Sequence, residues 1–357
     1  MSYLIPYIFL VFFSIRNNRK FTKFTSIIIW ISLVLFIGLR FEVGADWFNY
    51  KLSVERAGEV DVDYSELLLR SFSPGYAFLL TICAKYKWGV VGLNIINAGL
   101  FSGGLVYFCS KLKNPFLGLI ASYPYLIVVV SMGYIIQASS IGILLVGLTF
   151  YQNSNFKVFY LTIILASLFH FSAFLSILIP LFDQIRLIKR KSSLISISLI
   201  IGVFGILYLR FLDDYFISFY NSYFGRDMQA AGPKLLILVF FAIIFFIQRN
   251  RFEFSTQQKN IMYSLSTISI LLFFYSLTIK ATIATYRLSL FFYSLQLYVT
   301  SYLPYTRFLN ISAKNWTILF YIYNFMILFV WILFANMSYA WLPYENILIK
   351  KIFFLFN

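Results

Sequence analysis

The chain has 357 residues, of which 61% are hydrophobic, 21% aromatic and only 12% charged. An ordinary soluble domain carries about 25% charged residues, and a water-soluble protein of this length could not bury so much apolar surface. The net charge of +16 does not indicate nucleic-acid binding, because the basic residues stand between apolar runs, as the positive-inside rule requires of membrane proteins.

Apolar runs of about 17–25 residues predict membrane-spanning helices, and shorter runs predict tilted or partial ones. These runs follow one another without a linker, so we expect a single membrane domain over residues 1–357. The fold class is all-α, a polytopic integral membrane protein with about 12 (±2) helices, some short or broken. The predicted spans are 2–15, 25–39, 89–109, 116–132, 134–151, 194–209, 235–248, 261–279, 286–304 and 316–335, with a further candidate at 341–357.

The first apolar run predicts the orientation. No Lys or Arg precedes it, and Arg16, Arg19, Lys20 and Lys23 follow it. This order is the reverse of a secretory signal peptide and predicts an outside N-terminus. Two large loops then lie outside, about 40–73, with seven acidic against four basic residues, and about 210–234, balanced in charge and rich in aromatic residues.

Two segments decide the topology, and their membrane crossings are linked: one segment must cross once and the other an even number of times. Residues 156–182 form either one long span or two helices broken around Phe169-His170-Phe171-Ser172, while residues 74–84 form either a short span or an interfacial helix. We expect helices at 156–169 and 172–182 and no crossing at 74–84. This choice places Lys111, Lys113 and Lys157 inside.

The first candidate site runs from Gly38 to Tyr50, at the outer end of the second span. Arg40 offers a planar fork of donors that can hold a phosphate, and Gly44 permits a tight turn. Asp46 then precedes an amide, Asn49, and the phenol of Tyr50. The alternative, a snorkelling arginine followed by a turn aspartate, stays open.

Two further candidates lie in predicted helices. Gln137 opens an apolar helix, where it can bind a sugar hydroxyl or join two helices. His170 is the only histidine, so a histidine-based zinc site is excluded. An ionisable group in an apolar run indicates function, although a structural histidine at a helix break also fits. Cys83 and Cys109 have the spacing of buried small hydrophobes and predict no redox or metal pair.

Two basic residues stand at the outer ends of later spans. Lys234 follows a Gly-Pro turn and either snorkels or binds an anion. Arg287 begins a span from the outside, where the positive-inside bias would not place it, and this favours a functional role.

Six short motifs occur in order along the chain. They are Gly38-Leu39-Arg40 with Val43-Gly44-x-Asp46 and Tyr50, Ser73-Pro74-Gly75-Tyr76, Asn114-Pro115-Phe116, Gly133-Tyr134 with Gln137-Ala138, Leu168-Phe169-His170 with Ser172-Ala173, and Tyr286-Arg287-Leu288. As an ordered set, these motifs resemble the EpsG/Wzy-type family of bacterial polysaccharide polymerases. Two positions depart from the family's pattern: Ile136 stands where arginine is usual, and Ser73 where glutamate is frequent.

The resemblance implies a glycosyltransferase of the bacterial inner membrane, similar to GT-C-type enzymes, with its active site facing the periplasm. It implies polymerisation of O-antigen or capsule repeat units from undecaprenyl-pyrophosphate-linked donor and acceptor glycans, without metal or cofactor. A chain-length regulator protein and membrane lipids are further expected partners. The expected roles are general base for Asp46 or His170, pyrophosphate binding for Arg40, Arg287 and Lys234, and sugar binding for Asn49, Tyr50 and Gln137.

Two other functions compete with this one. A lipid-linked single-sugar transferase or an O-antigen ligase-like enzyme would share the substrate chemistry but give one product instead of a ladder. A lipid-linked oligosaccharide flippase is disfavoured, because such transporters line a midplane cavity with charges and often show internal repeats. This chain keeps its charges at the rims.

Overall fold

The computed structural model describes residues 2–16, 20–59, 64, 73–180, 231–278 and 282–350, with only the backbone at 231–234, 278 and 282–284. Throughout these ranges the regular structure is helical. The chain separates into two compact units, Met1–Phe174 with Thr300–Asn357, and Leu175–Val299. The described ranges include five helices long and apolar enough to cross a membrane, together with four shorter apolar helices.

The first unit contains nine α-helices in the described ranges. Most of them are built from predominantly apolar segments. A 3-10 helix, Phe171–Leu178, follows the eighth. The helices are α1 (Leu4–Arg16), α2 (Lys23–Gly38), α3 (Trp47–Ala57), α4 (Pro74–Lys85), α5 (Gly89–Ser110), α6 (Pro115–Gly133, with π-helical turns over Tyr123–Val130), α7 (Ile135–Gln152), α8 (Phe156–Phe169) and, late in the chain, α13 (Ala313–Phe334).

The second unit contains α9 (Ala231–Gln248), α10 (Thr256–Thr278) and α11 (Thr282–Ser289). A short 3-10 turn and then α12 (Ser294–Tyr302) follow. The predicted span at 286–304 is therefore divided into short helices. The predicted span at 194–209 lies outside the described residues. The expected count of about 12 helices and the likeness to GT-C-type enzymes stay predictions.

Small residues let the central helices of the first unit approach closely. A Cβ at Gly104 of α5 would collide with the carbonyl oxygen of Gly142 on α7, the small-residue packing typical of membrane helices. Ser140 on α7 donates to the carbonyl of Ala166 on α8 at 2.7 Å, and the Trp30 indole of α2 donates to Gly99 of α5 at 3.2 Å. These contacts place the C-termini of α2 and α8 beside the N-termini of α5 and α7.

The first unit therefore has two distinct ends. We call them the Arg40 end, where α2 and α8 finish, and the basic end, where they begin. Every acidic residue that the structure describes in this unit lies at the Arg40 end, namely Glu42, Asp46, Glu55, Glu59 and Glu345. The basic end carries Arg16, Lys20, Lys23, Lys111, Lys113, Lys157, Arg307 and Lys314.

Helix α4 keeps to the Arg40 end. Its second residue, Gly75, packs against Phe169 at the C-terminus of α8, where an added Cβ would lie 3.1 Å from the ring. Its last residue, Lys85, leads through a short turn into the N-terminus of α5. Since both ends of α4 meet the same end of the bundle, the helix does not cross, as the sequence predicted for 74–84.

Two further predictions can be compared with the structure. The predicted break near His170 is confirmed, because α8 ends at Phe169 and His170 is extended, with φ −145° and ψ 114°. The predicted span at 341–357 is wrong over its first part, where residues 342–346 are not helical. The reason is that Pro343 disfavours a helical backbone at the residue before it, while Tyr344 and Asn346 donate to the carbonyls of Phe36 and Leu35 at the end of α2.

Candidate functional site

A tight loop joins α2 to α3 at the Arg40 end. Glu42 and Gly44 have positive φ, 53° and 104°. A Cβ on Gly44 would collide with the carbonyl oxygen of Met132, at the end of α6. Only glycine fits both this backbone conformation and this approach. The loop is thereby pressed against the α6–α7 junction, and Asp46 follows as the residue before α3.

Arg40 is fully buried beneath this loop. Its guanidinium donates to the carbonyl of Val43 at 3.0 Å, to the carbonyl of Ile37 at 2.7 Å and to Oδ1 of Asn94 at 2.9 Å. Among the described residues no carboxylate pairs with it. Burial lowers the pKa of Arg40 to about 10, against the opposing effects of Tyr50, Tyr344 and Tyr3. The group remains charged at neutral pH.

The acceptors of Arg40 show what the residue does in this arrangement. A buried charge must be met by hydrogen bonds or a partner, and here neutral oxygens from α2, the loop and α5 supply them. Three of the five N–H donors of the guanidinium are therefore used to fasten the loop. The Nδ2 of Asn94, also buried, has no hydrogen-bond partner in the described part of the chain.

A segment from the far end of the sequence clamps the same loop, and we call it the strap, Ser338 to Asn346. Its carbonyls at Ala340 and Glu345 accept from the backbone N–H groups of Gly44 at 2.8 Å and Phe41 at 3.0 Å. Asn346 forms an antiparallel bridge with Arg40. The strap thus fixes the loop backbone directly, while Asn94 acts through the side chain of Arg40.

Trp341 anchors the strap. It is 1% exposed, and its indole N–H donates to the carbonyl of Val128 in α6 at 2.9 Å. Its ring covers Gly133, where a Cβ would lie only 2.7 Å from the ring. Tyr3 donates to the Trp341 carbonyl at 2.8 Å. Both termini of the described chain therefore meet at the Arg40 end.

Helix α3 packs against other helices through buried aromatic residues. Trp47, Tyr50 and Tyr76 belong to one buried cluster, against which Ile136 and Phe169 also pack. The rings of Tyr50 and Tyr76 are 6.2 Å apart. Burial raises the pKa of Tyr76, and the nearby charge of Asp46 adds to the effect. This cluster brings the loop, α4, α7 and the end of α8 together.

The chain matches the sequence model described as EpsG family over residues 23–346. It belongs to the EpsG family. No match was found among curated proteins or among solved structures. The EpsG family is associated with Wzy-type polymerases, so this family member is a multi-pass membrane protein with a polysaccharide polymerase-like role. The resemblance inferred from the motifs is confirmed.

The matched region covers nearly the whole chain and includes the loop, α3 and the strap of the Arg40 end. It begins at the first residue of α2 and finishes at Asn346, the strap residue that bridges to Arg40. The strap is therefore part of the family's pattern and not an appended tail. Ile136, the residue at which the sequence motifs predicted a departure from the family's pattern, packs against the cluster that contains Tyr50.

Six of the predicted site residues belong to the first unit, and all six lie at its Arg40 end. Asp46 is half-buried and Asn49 is exposed, with 3.4 Å between Asn49 Nδ2 and Asp46 Oδ1. Gln137 is buried in the first turn of α7, and His170 is half-buried at the end of α8. Arg40 and Tyr50 are buried as described above. The chemical roles assigned to all six stay predictions.

The other two predicted residues, Arg287 and Lys234, belong to the second unit. Arg287 is half-buried in α11, next to the buried Tyr286. Lys234 lies in the first turn of α9, and its side chain is outside the described residues.

Sequence reasoning missed two kinds of residue at this site. Asn94 had a detectable signal, since it is a polar residue inside an apolar predicted span. Trp341 and Asn346 had none, because both fell inside the candidate last span at 341–357. Their importance depends on contacts with residues about 300 positions away in the sequence, such as the bridge from Asn346 to Arg40.

Proposed function

We propose that this EpsG family member joins undecaprenyl-pyrophosphate-linked repeat units into O-antigen or capsular polysaccharide at the periplasmic face of the bacterial inner membrane. The observation that carries the proposal is the position of Asp46. It stands half-buried on a loop held by Arg40, Asn94 and the strap, at the end of the unit opposite the basic end. The Arg40 end also carries Arg40, Lys51, Arg56, Lys85, Lys87 and Lys350, but the basic end carries eight basic residues and none of the acids that the structure describes in this unit.

The charge distribution supports the orientation. Lys and Arg accumulate on the cytoplasmic side of membrane proteins, so the basic end is assigned to the cytoplasm. The Arg40 end, with the described acids of the unit, is then assigned to the periplasm. Lipid-linked repeat units would be joined there.

The proposed reaction is a glycosyl transfer that needs one base and one stabilised leaving group. An acceptor hydroxyl oxygen attacks the anomeric carbon of the donor, a C–O bond forms, and the bond from that carbon to the lipid pyrophosphate breaks with its electron pair. Asp46 removes the hydroxyl proton; His170 is the second candidate. Asn49, Tyr50 and Gln137 are assigned to the sugars.

The negative charge that develops on the pyrophosphate needs positive groups, and preorganised charges stabilise such a transition state strongly. We assign this role to Arg287 and Lys234, with metal-independent transfer as the consequence. Arg40 is closed off from solvent, so in this arrangement it contributes through its field and by positioning the loop of Asp46.

Product length tests the proposal. Purified full-length protein in nanodiscs is supplied with the lipid-linked repeat extracted from cells that lack the polymerase, with and without EDTA. A ladder of longer glycans in both conditions is expected. A single-step product would indicate a ligase or a single-sugar transferase. Movement of the lipid-linked repeat across the bilayer without any new glycosidic bond would indicate a flippase, and either result overturns the proposal.

A further inference from the structure

An exposed aromatic pair stands in the turn between α4 and α5, which we call the aromatic turn, Lys85 to Trp88. Tyr86 is 57% and Trp88 51% exposed. Their rings are stacked, with centroids 5.4 Å apart and 26° between the planes. Lys85 Nζ lies 5.8 Å from the centre of the Tyr86 ring, and Lys87 is exposed beside it.

Backbone hydrogen bonds, and not burial, hold the turn in shape. The N–H of Trp88 donates to the carbonyl of Cys83 at 2.9 Å, and that of Lys87 to the carbonyl of Ala84 at 3.0 Å. This is the pattern of a Schellman motif, in which glycine usually occupies the left-handed position. Here Lys87 occupies it, with φ 57°. Lys87 thus has a left-handed backbone conformation, which is unfavourable for residues other than glycine.

The position of Lys85 and Lys87 distinguishes this turn from the aromatic and basic residues that commonly anchor a helix at the membrane surface. Aromatic and basic residues commonly mark membrane boundaries, but lysine accumulates on the cytoplasmic side. The other end of α5 shows that arrangement, where Lys111 Nζ lies 5.2 Å from the Tyr107 ring at the basic end. The aromatic turn lies at the opposite end, among the acids. Neither Lys85 nor Lys87 pairs with a carboxylate that the structure describes.

Helix α3 connects the aromatic turn with the loop of Asp46. Asp46 directly precedes α3, and Gly58 follows it. A Cβ at Gly58 would lie 3.8 Å from the Cβ of Ala84, next to the turn. Since α3 has 11 residues and a helix rises about 1.5 Å per residue, the two places are separated by about 17 Å. A short oligosaccharide spans such a distance.

We propose that the aromatic turn is a distal glycan subsite, which holds a sugar of the growing chain several units away from the bond being formed. The apolar C–H face of a sugar ring packs on the electron-rich face of Trp88 or Tyr86. Lys85 and Lys87 bind carboxylate or phosphate substituents on the same glycan. This inference rests on the proposed polymerase function, because only a lengthening product reaches both places.

The test separates chain length from the joining reaction. Full-length wild type and the variant Tyr86→Ala/Trp88→Ala are placed in nanodiscs with the extracted lipid-linked repeat, and both the first joining rate and the modal chain length are measured. We expect the affinity for the distal sugar to fall about two- to tenfold, the factor that loss of an aromatic stack corresponds to. The modal length should therefore fall, with a smaller fall in the first joining rate. Lys85→Gln/Lys87→Gln should shorten the chains of an acidic glycan and make their length insensitive to salt.

The matched control is Tyr107→Ala/Lys111→Gln, which removes the corresponding pair at the basic end and should give wild-type chains.

Nanodiscs of phosphatidylcholine alone and of phosphatidylcholine with phosphatidylglycerol distinguish two sources of anionic groups, the glycan and the lipid headgroups. Unchanged chain length in the aromatic variant, an equal fall in both readouts, or an effect seen only with phosphatidylglycerol overturns the subsite. The last result would identify a lipid-headgroup anchor. Failure of the wild type to form a ladder would instead overturn the proposed function.

Discussion

The two ends of the first unit are stabilised in different ways. At the basic end, helices begin with local caps: Asn114 accepts from Leu117 N–H, Asn155 from Val158 N–H and Ser312 from Asn315 N–H, each three residues away. At the Arg40 end, the loop is held by Asn94 and by a strap about 300 residues further along the chain. Local sequence can therefore predict the caps of the basic end, while the contacts that hold the loop at the Arg40 end depend on the assembled fold.

The largest effect is expected at Asp46. Asp46→Asn keeps the size of the side chain but removes the base, and loss of a general base costs about 10²–10⁴-fold in rate. The initial rate of ladder formation measures it. Glu55→Gln is the matched control, because Glu55 is an exposed acid of the same segment, 3.9 Å from Lys51, and should retain the wild-type rate. Equal rates in both variants would remove Asp46 from the reaction.

The next effect is expected from the strap. Trp341→Ala leaves a cavity over Gly133 and removes the indole hydrogen bond to Val128, and a buried Trp→Ala change costs about 3–5 kcal/mol. The melting temperature of the purified protein should fall, and ladder formation with it. Tyr339→Ala, at a neighbouring residue that is 69% exposed, should leave both unchanged. A Trp341→Ala protein with full stability would show that the strap does not hold the loop.

A smaller effect is expected at Gly44. Gly44→Ala requires a left-handed alanine and a collision with the Met132 carbonyl, a strain of about 1–3 kcal/mol, and should displace Asp46 and reduce the joining rate. Gly99→Ala is the control, since a Cβ there meets nothing within 4 Å. Alanine in a helix is favoured over glycine by about 0.5–1 kcal/mol, so this variant should be at least as stable as wild type.

The smallest effect is expected at a local cap. Asn155→Ala removes the cap of α8 at the basic end and should cost about 1 kcal/mol. Thermal unfolding would detect this change, while the ladder should be unaltered. A loss of ladder comparable with that of Gly44→Ala would contradict the functional difference between the two ends.

The sequence predicted what depends on local pattern. Spans such as those ending near Ser110, Gln152 and Phe334 follow from apolar runs, and the break at His170 follows from a polar residue within one. The burial of Arg40 could not be predicted, because an arginine at a helix end is normally exposed or snorkelling. Two of its acceptors, the carbonyls of Ile37 and Val43, are three residues away in the sequence, but the third, Asn94, belongs to α5, which only the tertiary packing brings beside it. The role of the strap could not be predicted either, because residues 341–357 have the composition of a membrane span.

The central claim is that the Arg40 end faces the periplasm and carries the reaction. Labelling of single cysteines from one side of the membrane tests it most directly. Asn49→Cys and Lys314→Cys place single reporters on exposed residues at opposite ends, against a background of two buried cysteines, Cys83 and Cys109. In intact spheroplasts, a membrane-impermeant maleimide should label Asn49→Cys and leave Lys314→Cys unlabelled until the membrane is opened. Labelling of Lys314→Cys alone would place Asp46 in the cytoplasm and contradict the account.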